Sequence, residues 1–126
     1  LVRAVVEAVC FAARDALELT ARRARPPAEL RVLGGATASD LWMQMLADVV
    51  HLPLRVPRCG EAAVLGAAIF AGVAVGRFAD IVAGADAFYR PGRAFEPQAE
   101  SAAYQEAYAA YRDAMERVYP GALGLD

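Results

Sequence analysis

The residues best suited to chemistry in this chain are Leu33-Gly34-Gly35-Ala36-Thr37-Ala38-Ser39, set between a short apolar run and an amphipathic stretch. Paired glycines leave bare backbone, so a flat or anionic ligand can approach where a Cβ would collide. A helix starting just beyond them turns unsatisfied N–H groups and the positive end of its dipole toward the same place. Such an arrangement suits a nucleotide. The same residues equally suit a turn that only closes a strand onto a helix, and at this point both readings stay open.

The remaining reactive side chains offer less. Cys10 falls in an apolar helical run and reads as a small core residue; Cys59 precedes Gly60-Glu61 at a helix start. Their separation fits neither a metal site nor a redox pair, and both suit a reduced, cytoplasmic compartment. His51, the one histidine, follows a helix and reads as a solvated or dipole-facing group rather than a catalyst. Nothing in the spacing of Asp48 and Glu61 places them in one cleft as an acid–base pair. All 13 basic residues are arginine, so no lysine can hold a phosphate, and a Walker-type loop is excluded.

The elements that must position the glycine turn follow from periodicity. Residues 1 to 23 are helical, with Val2, Val5, Val6, Val9, Ala13, Ala16 and Leu17 on one side and Arg3, Glu7, Arg14 and Glu18 mostly opposite. Pro26-Pro27 ends that helix, and residues 29–33 read as a short strand. A helix spans 40–50, with Leu41, Trp42, Met45, Leu46 and Val49 at helical spacing. Residues 52–57 form a strand flanked by prolines, which suits an edge or a strand end. An uncharged stretch from Ala62 to Gly76 predicts a buried helix whose Gly66, Ala67, Ala68, Ala71 and Gly72 admit close packing, with Glu61 at its N-terminus favouring the helix dipole. A short helix near 79–88 and an irregular stretch through 90–97 come next. The final helix, 99–118, carries Tyr104, Tyr108 and Tyr111 as an aromatic packing stripe.

Strands joined by helical crossovers imply an α/β fold in which 30–33 and 54–56 are parallel neighbours. At 126 residues and 58% hydrophobic composition the chain is one domain or part of one. Leu1 enters a helical pattern at once, which suggests the tail of something longer. The net charge of −2 and pI near 5.4 give no basic footprint for nucleic acid. The uncharged stretch is too short for a bilayer span, which takes about 20 residues, so no membrane partner is expected.

Residues 34–48, Gly-Gly-Ala-Thr-Ala-Ser-Asp-Leu-Trp-Met-Gln-Met-Leu-Ala-Asp, resemble the adenosine motif of the FGGY carbohydrate kinases, among them the xylulose, ribulose and glycerol kinases. Leu54-Arg55-Val56-Pro57 followed by Glu61-Ala62-Ala63-Val64-Leu65-Gly66-Ala67-Ala68 is similar to a second landmark of that family, and Phe95-Glu96-Pro97 before a Tyr-rich helix suits its close. The resemblance covers essentially all of residues 1–126. It implies the C-terminal portion of a nucleotide-binding domain with an actin-like, ribonuclease-H-like fold. It also implies that Gly34, Gly35 and Ala36 face the adenosine and α-phosphate of ATP. Ser39 stands where some members carry an adenine-bonding Asn, and its hydroxyl offers one bond in place of an amide's two. The parent would phosphorylate a sugar or polyol hydroxyl, a ketopentose by family frequency, with Mg²⁺ beside the phosphates. The catalytic Asp and the sugar site would lie upstream of this chain, which would be inactive alone. The rival readings are a non-catalytic actin-like nucleotide-binding regulator and an α/β interaction module.

Overall fold

A computed structural model describes residues 1–59, 61–98 and 101–121 of the chain. Along the sequence lie α1 (Val2–Ala21), β1 (Leu30–Arg31), a 3₁₀ turn (Gly35–Ala38), α2 (Asp40–Val50), β2 (Leu54–Val56), α3 (Ala62–Ala74), α4 (Ile81–Phe88), β3 (Arg93–Phe95) and α5 (Ser101–Val118). The α/β expectation holds. Positions 99 and 100 of the expected last helix lie outside the described residues, as do Gly60 and residues 122–126 of the expected domain.

The strands form one sheet in the order β1-β2-β3. As expected, β1 and β2 are parallel, with Leu30 opposite Leu54 and Arg31 opposite Arg55. The Leu30 amide donates to the Pro53 carbonyl at 2.9 Å and Val32 to Arg55 at 3.0 Å. Pro53 and Pro57 mark strand ends and not an edge: β2 is the central strand, because β3 pairs antiparallel on its far side. That third strand corrects the irregular stretch expected at 90–97. Three residues are too few to show alternation, and Arg93-Ala94-Phe95 becomes a strand through its partner. Gly92 permits the pairing, since a Cβ there would fall against the Val56 carbonyl oxygen and the Pro57 backbone.

The core sits between α1, α2 and α5, where Cys10, Phe11, Met45, Val49 and Tyr108 are buried together. The tyrosine stripe packs as expected, with the Phe11 ring centroid 5.4 Å from Tyr111, 5.8 Å from Tyr108 and 6.5 Å from Tyr104. The Tyr108 hydroxyl donates to Asp15 at 2.5 Å, and the Arg14 guanidinium lies 4.0 Å over its ring. Burial, reinforced by Asp15, pushes the Tyr108 pKa up. Burial likewise pushes the Cys10 thiol up to about 11, so it stays protonated and inert.

Two expectations about burial change. On α1 most of the valine stripe faces outward, with Val2, Val5 and Val9 exposed and Val6 packed against the core, while Phe11 is buried and Arg14 half-buried. The helix has apolar residues on more than one face, and the aromatic contacts of Phe11 select which face packs. Helix α3 is mostly exposed: Ile69 is its one buried residue, and Val64, Phe70 and Val75 lie open. Its packing partner is α4 together with the turn before it: Gly84 of α4 meets Ile69, and Gly72 of α3 meets Phe78 of that turn, so closely that a Cβ at either glycine would collide.

Candidate functional site

The glycine turn connects β1 to α2. Gly34 has φ +101° and ψ −178°, a conformation open in practice only to glycine. Its carbonyl accepts both the Thr37 amide at 3.1 Å and the Thr37 hydroxyl at 2.7 Å, which closes the turn. Gly35 and Ala36 enter a right-handed 3₁₀ turn, so the Ala36 methyl costs no strain. A Cβ placed on Gly35 meets no atom within 4 Å. That open space belongs to a cleft of about 550 Å³.

The cleft is lined from the turn by Gly34, Gly35, Thr37 and Ala38, from the start of α3 by Glu61, Ala62 and Ala63, and from β3 by Arg93. Of the four expected site residues, Gly34 and Gly35 face it, whereas Ala36 and Ser39 are not among its lining residues. Ser39 is instead the N-cap of α2, its hydroxyl accepting the Trp42 amide at 3.2 Å. One of the helix donors expected to be free for a ligand is therefore satisfied by the chain itself. Asp40 places a carboxylate in the first turn of α2, and Arg93 neutralises it.

Glu61 is the N-cap of α3, but its side chain makes no cap hydrogen bond, leaving charge–dipole attraction as its contribution. Asp48 and Glu61 do not share a cleft: Asp48 is buried under the Gln98 amide at 2.8 Å and the Gln44 amide group at 3.0 Å. His51 is the exposed left-handed C-cap of α2. Cys59 lies beside the cleft and also lines a neighbouring, largely apolar cavity of about 230 Å³ floored by Leu65, Ile69 and Phe88. Sequence reasoning missed Arg93. The available signal was Asp40, Gln44 and Asp48 at i, i+4 and i+8, a polar stripe on an otherwise apolar helix that needed a partner.

The cap yields a direct expectation. Ser39→Ala should destabilise this chain by about 1 kcal/mol, the usual cost of losing a side-chain cap, and Ser39→Asp should recover it. Urea unfolding followed at Trp42, the one tryptophan, measures both; equal midpoints for Ser39→Ala and the parent sequence would remove the capping role.

Comparison with known proteins adds the family. The description "FGGY family of carbohydrate kinases, C-terminal domain" matches residues 1–75. The chain belongs to the FGGY family of carbohydrate kinases. A glycerol kinase from Mycolicibacterium gilvum is 40% identical over 119 residues, covering 91% of this chain and 23% of the relative. The ligand-bound xylulose kinase from Lactobacillus acidophilus superposes with a TM-score of 0.82 at 24% identity, over 97% of this chain and 25% of that one. The Plasmodium falciparum glycerol kinase, solved with ADP, superposes with a TM-score of 0.74 at 22% identity, over 94% and 24%. The fold is thus the FGGY one, an actin-like α/β arrangement. The chain spans about a quarter of the length of the curated relatives it matches. No helix among the described residues is long and apolar enough to cross a membrane.

Proposed function

We propose that the protein carrying this segment is an ATP-dependent kinase transferring the γ-phosphoryl group to a sugar or polyol hydroxyl, and that residues 1–126 supply the C-terminal, adenosine-facing part of its nucleotide domain. The observation that carries this reading is the open face of Gly35 on the 550 Å³ cleft, in a chain of the FGGY family. Bare backbone at Gly34 and Gly35 can lie flat against a nucleoside, and Thr37 and Ala38 extend the same surface. Ala36 and Ser39 act behind that surface, one in the turn and one as the helix cap. Glu61 is the cleft's one carboxylate among the described residues, and no cluster there of three or more metal-ligating side chains could hold an ion. These residues do not make a Mg²⁺ site by themselves, so the metal position belongs to the remainder of the kinase. The relatives named glycerol kinase favour glycerol as the first acceptor to test, ahead of the ketopentose expected from family frequency. Both cysteines are free, in keeping with a cytoplasmic protein.

Gly35→Val in the full-length kinase tests the assignment. Gly35 has an ordinary φ, a Cβ there meets no atom within 4 Å, and the residue lines the cleft, so a valine is expected to keep the fold and crowd the cleft. The Michaelis constant for ATP should rise at least about tenfold, near 1.4 kcal/mol, with little change in that for the acceptor. Unaltered ATP kinetics in the folded variant would refute the adenosine-facing role.

A further inference from the structure

We propose that Arg93 is a positioning residue for the nucleotide cleft, tying the glycine turn to β3; the inference rests on the nucleotide reading above. One guanidinium nitrogen donates to the Thr37 carbonyl inside the turn and another to the Asp40 carboxylate at the start of α2, 53 residues away in sequence. The same side chain lines the cleft beside Gly34 and Gly35. A planar fork reaching two acceptors at once sets an angle as well as a distance between turn and strand.

The anchor behind Arg93 is firm. Its strand is registered on β2, with Val56 opposite Arg93 and Leu54 opposite Phe95. Gly92 brings the strand's approach against the Val56 and Pro57 backbone, where no Cβ has room. Beyond the strand, Glu96 receives Arg55 at 2.6 Å and its carbonyl receives Gln44 at 2.8 Å. The Gln98 amide then reaches Asp48 at 2.8 Å. Residues 93–98 therefore run along α2 as a strap, meeting Asp40, Gln44 and Asp48 in succession.

With 44% and 70% of their side chains exposed, Arg93 and Asp40 add little to global stability. Their effect is local. Without Arg93 the turn loses its tie to β3, and the Asp40 carboxylate at the start of α2, next to the turn, is left unneutralised.

The experiment uses the full-length kinase and the variants Arg93→Ala, Arg93→Lys and Asp40→Asn. Arg93→Ala should raise the Michaelis constant for ATP about tenfold, the scale of a lost charge-assisted contact. The turnover number and the acceptor's Michaelis constant should stay within about twofold. Arg93→Lys, which keeps the charge and one donor nitrogen but not the planar fork, should recover ATP binding to within about threefold of wild type. Asp40→Asn should be milder than Arg93→Ala, because Thr37 still holds the guanidinium. Hydrogen exchange of the peptide spanning residues 34–42 should speed up in Arg93→Ala. Unchanged exchange there would show that no tie exists and overturn the proposal. Faster exchange with an unchanged ATP constant would also overturn it, while leaving the nucleotide reading to Gly35→Val. A fall in turnover equal to the loss of ATP binding, without rescue by lysine, would mean a merely structural role and would equally defeat it.

Discussion

Incubated alone with ATP, Mg²⁺, glycerol and a panel of ketoses, the 126-residue chain is expected to release no ADP above background. In-line phosphoryl transfer needs a base to orient the acceptor hydroxyl, donors for the phosphates and a metal position, held together in one closed site. In the function proposed above, the chain offers only the adenosine side of such a site. Among the described aspartates, Asp15 accepts Tyr108, Asp40 pairs with Arg93, Asp48 accepts Gln44 and Gln98, Asp80 caps α4 through the Ala83 amide, and Asp86 lines the neighbouring apolar cavity and not the glycine-turn cleft. Asp113 pairs with Arg117 on the surface of α5. Glu61 faces the cleft, but one carboxylate supplies neither the phosphate donors nor a closed acceptor site. The control is the Gly35→Val form of the same chain. Acceptor-dependent turnover above that control would place the catalytic apparatus within these residues and overturn its assignment to the rest of the kinase.

Phe11→Ala is expected to destabilise the chain by about 3–5 kcal/mol, the range for removing a buried aromatic ring. Phe11 is 6% exposed and touches three tyrosines of α5, so its loss removes burial and edge contacts together and opens a cavity where α1 meets α5. The neighbouring polar link, Tyr108 to Asp15, cannot compensate, because a hydrogen bond nets only about 0.5–1.5 kcal/mol. Leu41→Ala is the comparison: at 70% exposure it should change stability by less than about 0.5 kcal/mol. Urea unfolding followed by Trp42 emission reads both. If the two variants unfold at the same concentration, the aromatic contact does not hold the helices together.

Helix positions and the parallel pairing of β1 with β2 were legible in the sequence: the helices from apolar spacing of 3.6 and the prolines after α1, the pairing from the helical crossover that joins the two strands. The paired glycines marked a turn with bare backbone. The glycine turn was therefore readable as a potential ligand surface. The division of labour within it was not. Ser39 looked like a residue available to a base, and the structure spends its hydroxyl on the Trp42 amide. A hydroxyl before a helix serves a cap or a ligand with the same local sequence, and geometry chooses.

What the sequence by itself determined is the set of helices, the first two strands, their order and the family, because periodicity, turn chemistry and the spacing of three motifs are properties of the chain's own succession of residues. Tertiary structure alone decided which of the apolar faces of α1 packs, since Val5 and Phe11 are comparably hydrophobic and only the tyrosines of α5 distinguish them. It decided that β2 is central, because a three-residue strand exists through the hydrogen bonds of its partner and not through its own pattern. It also brought Arg93 across 53 residues to Asp40, a pairing that depends on the path of the backbone past Gly92 and that no spacing along the chain could announce.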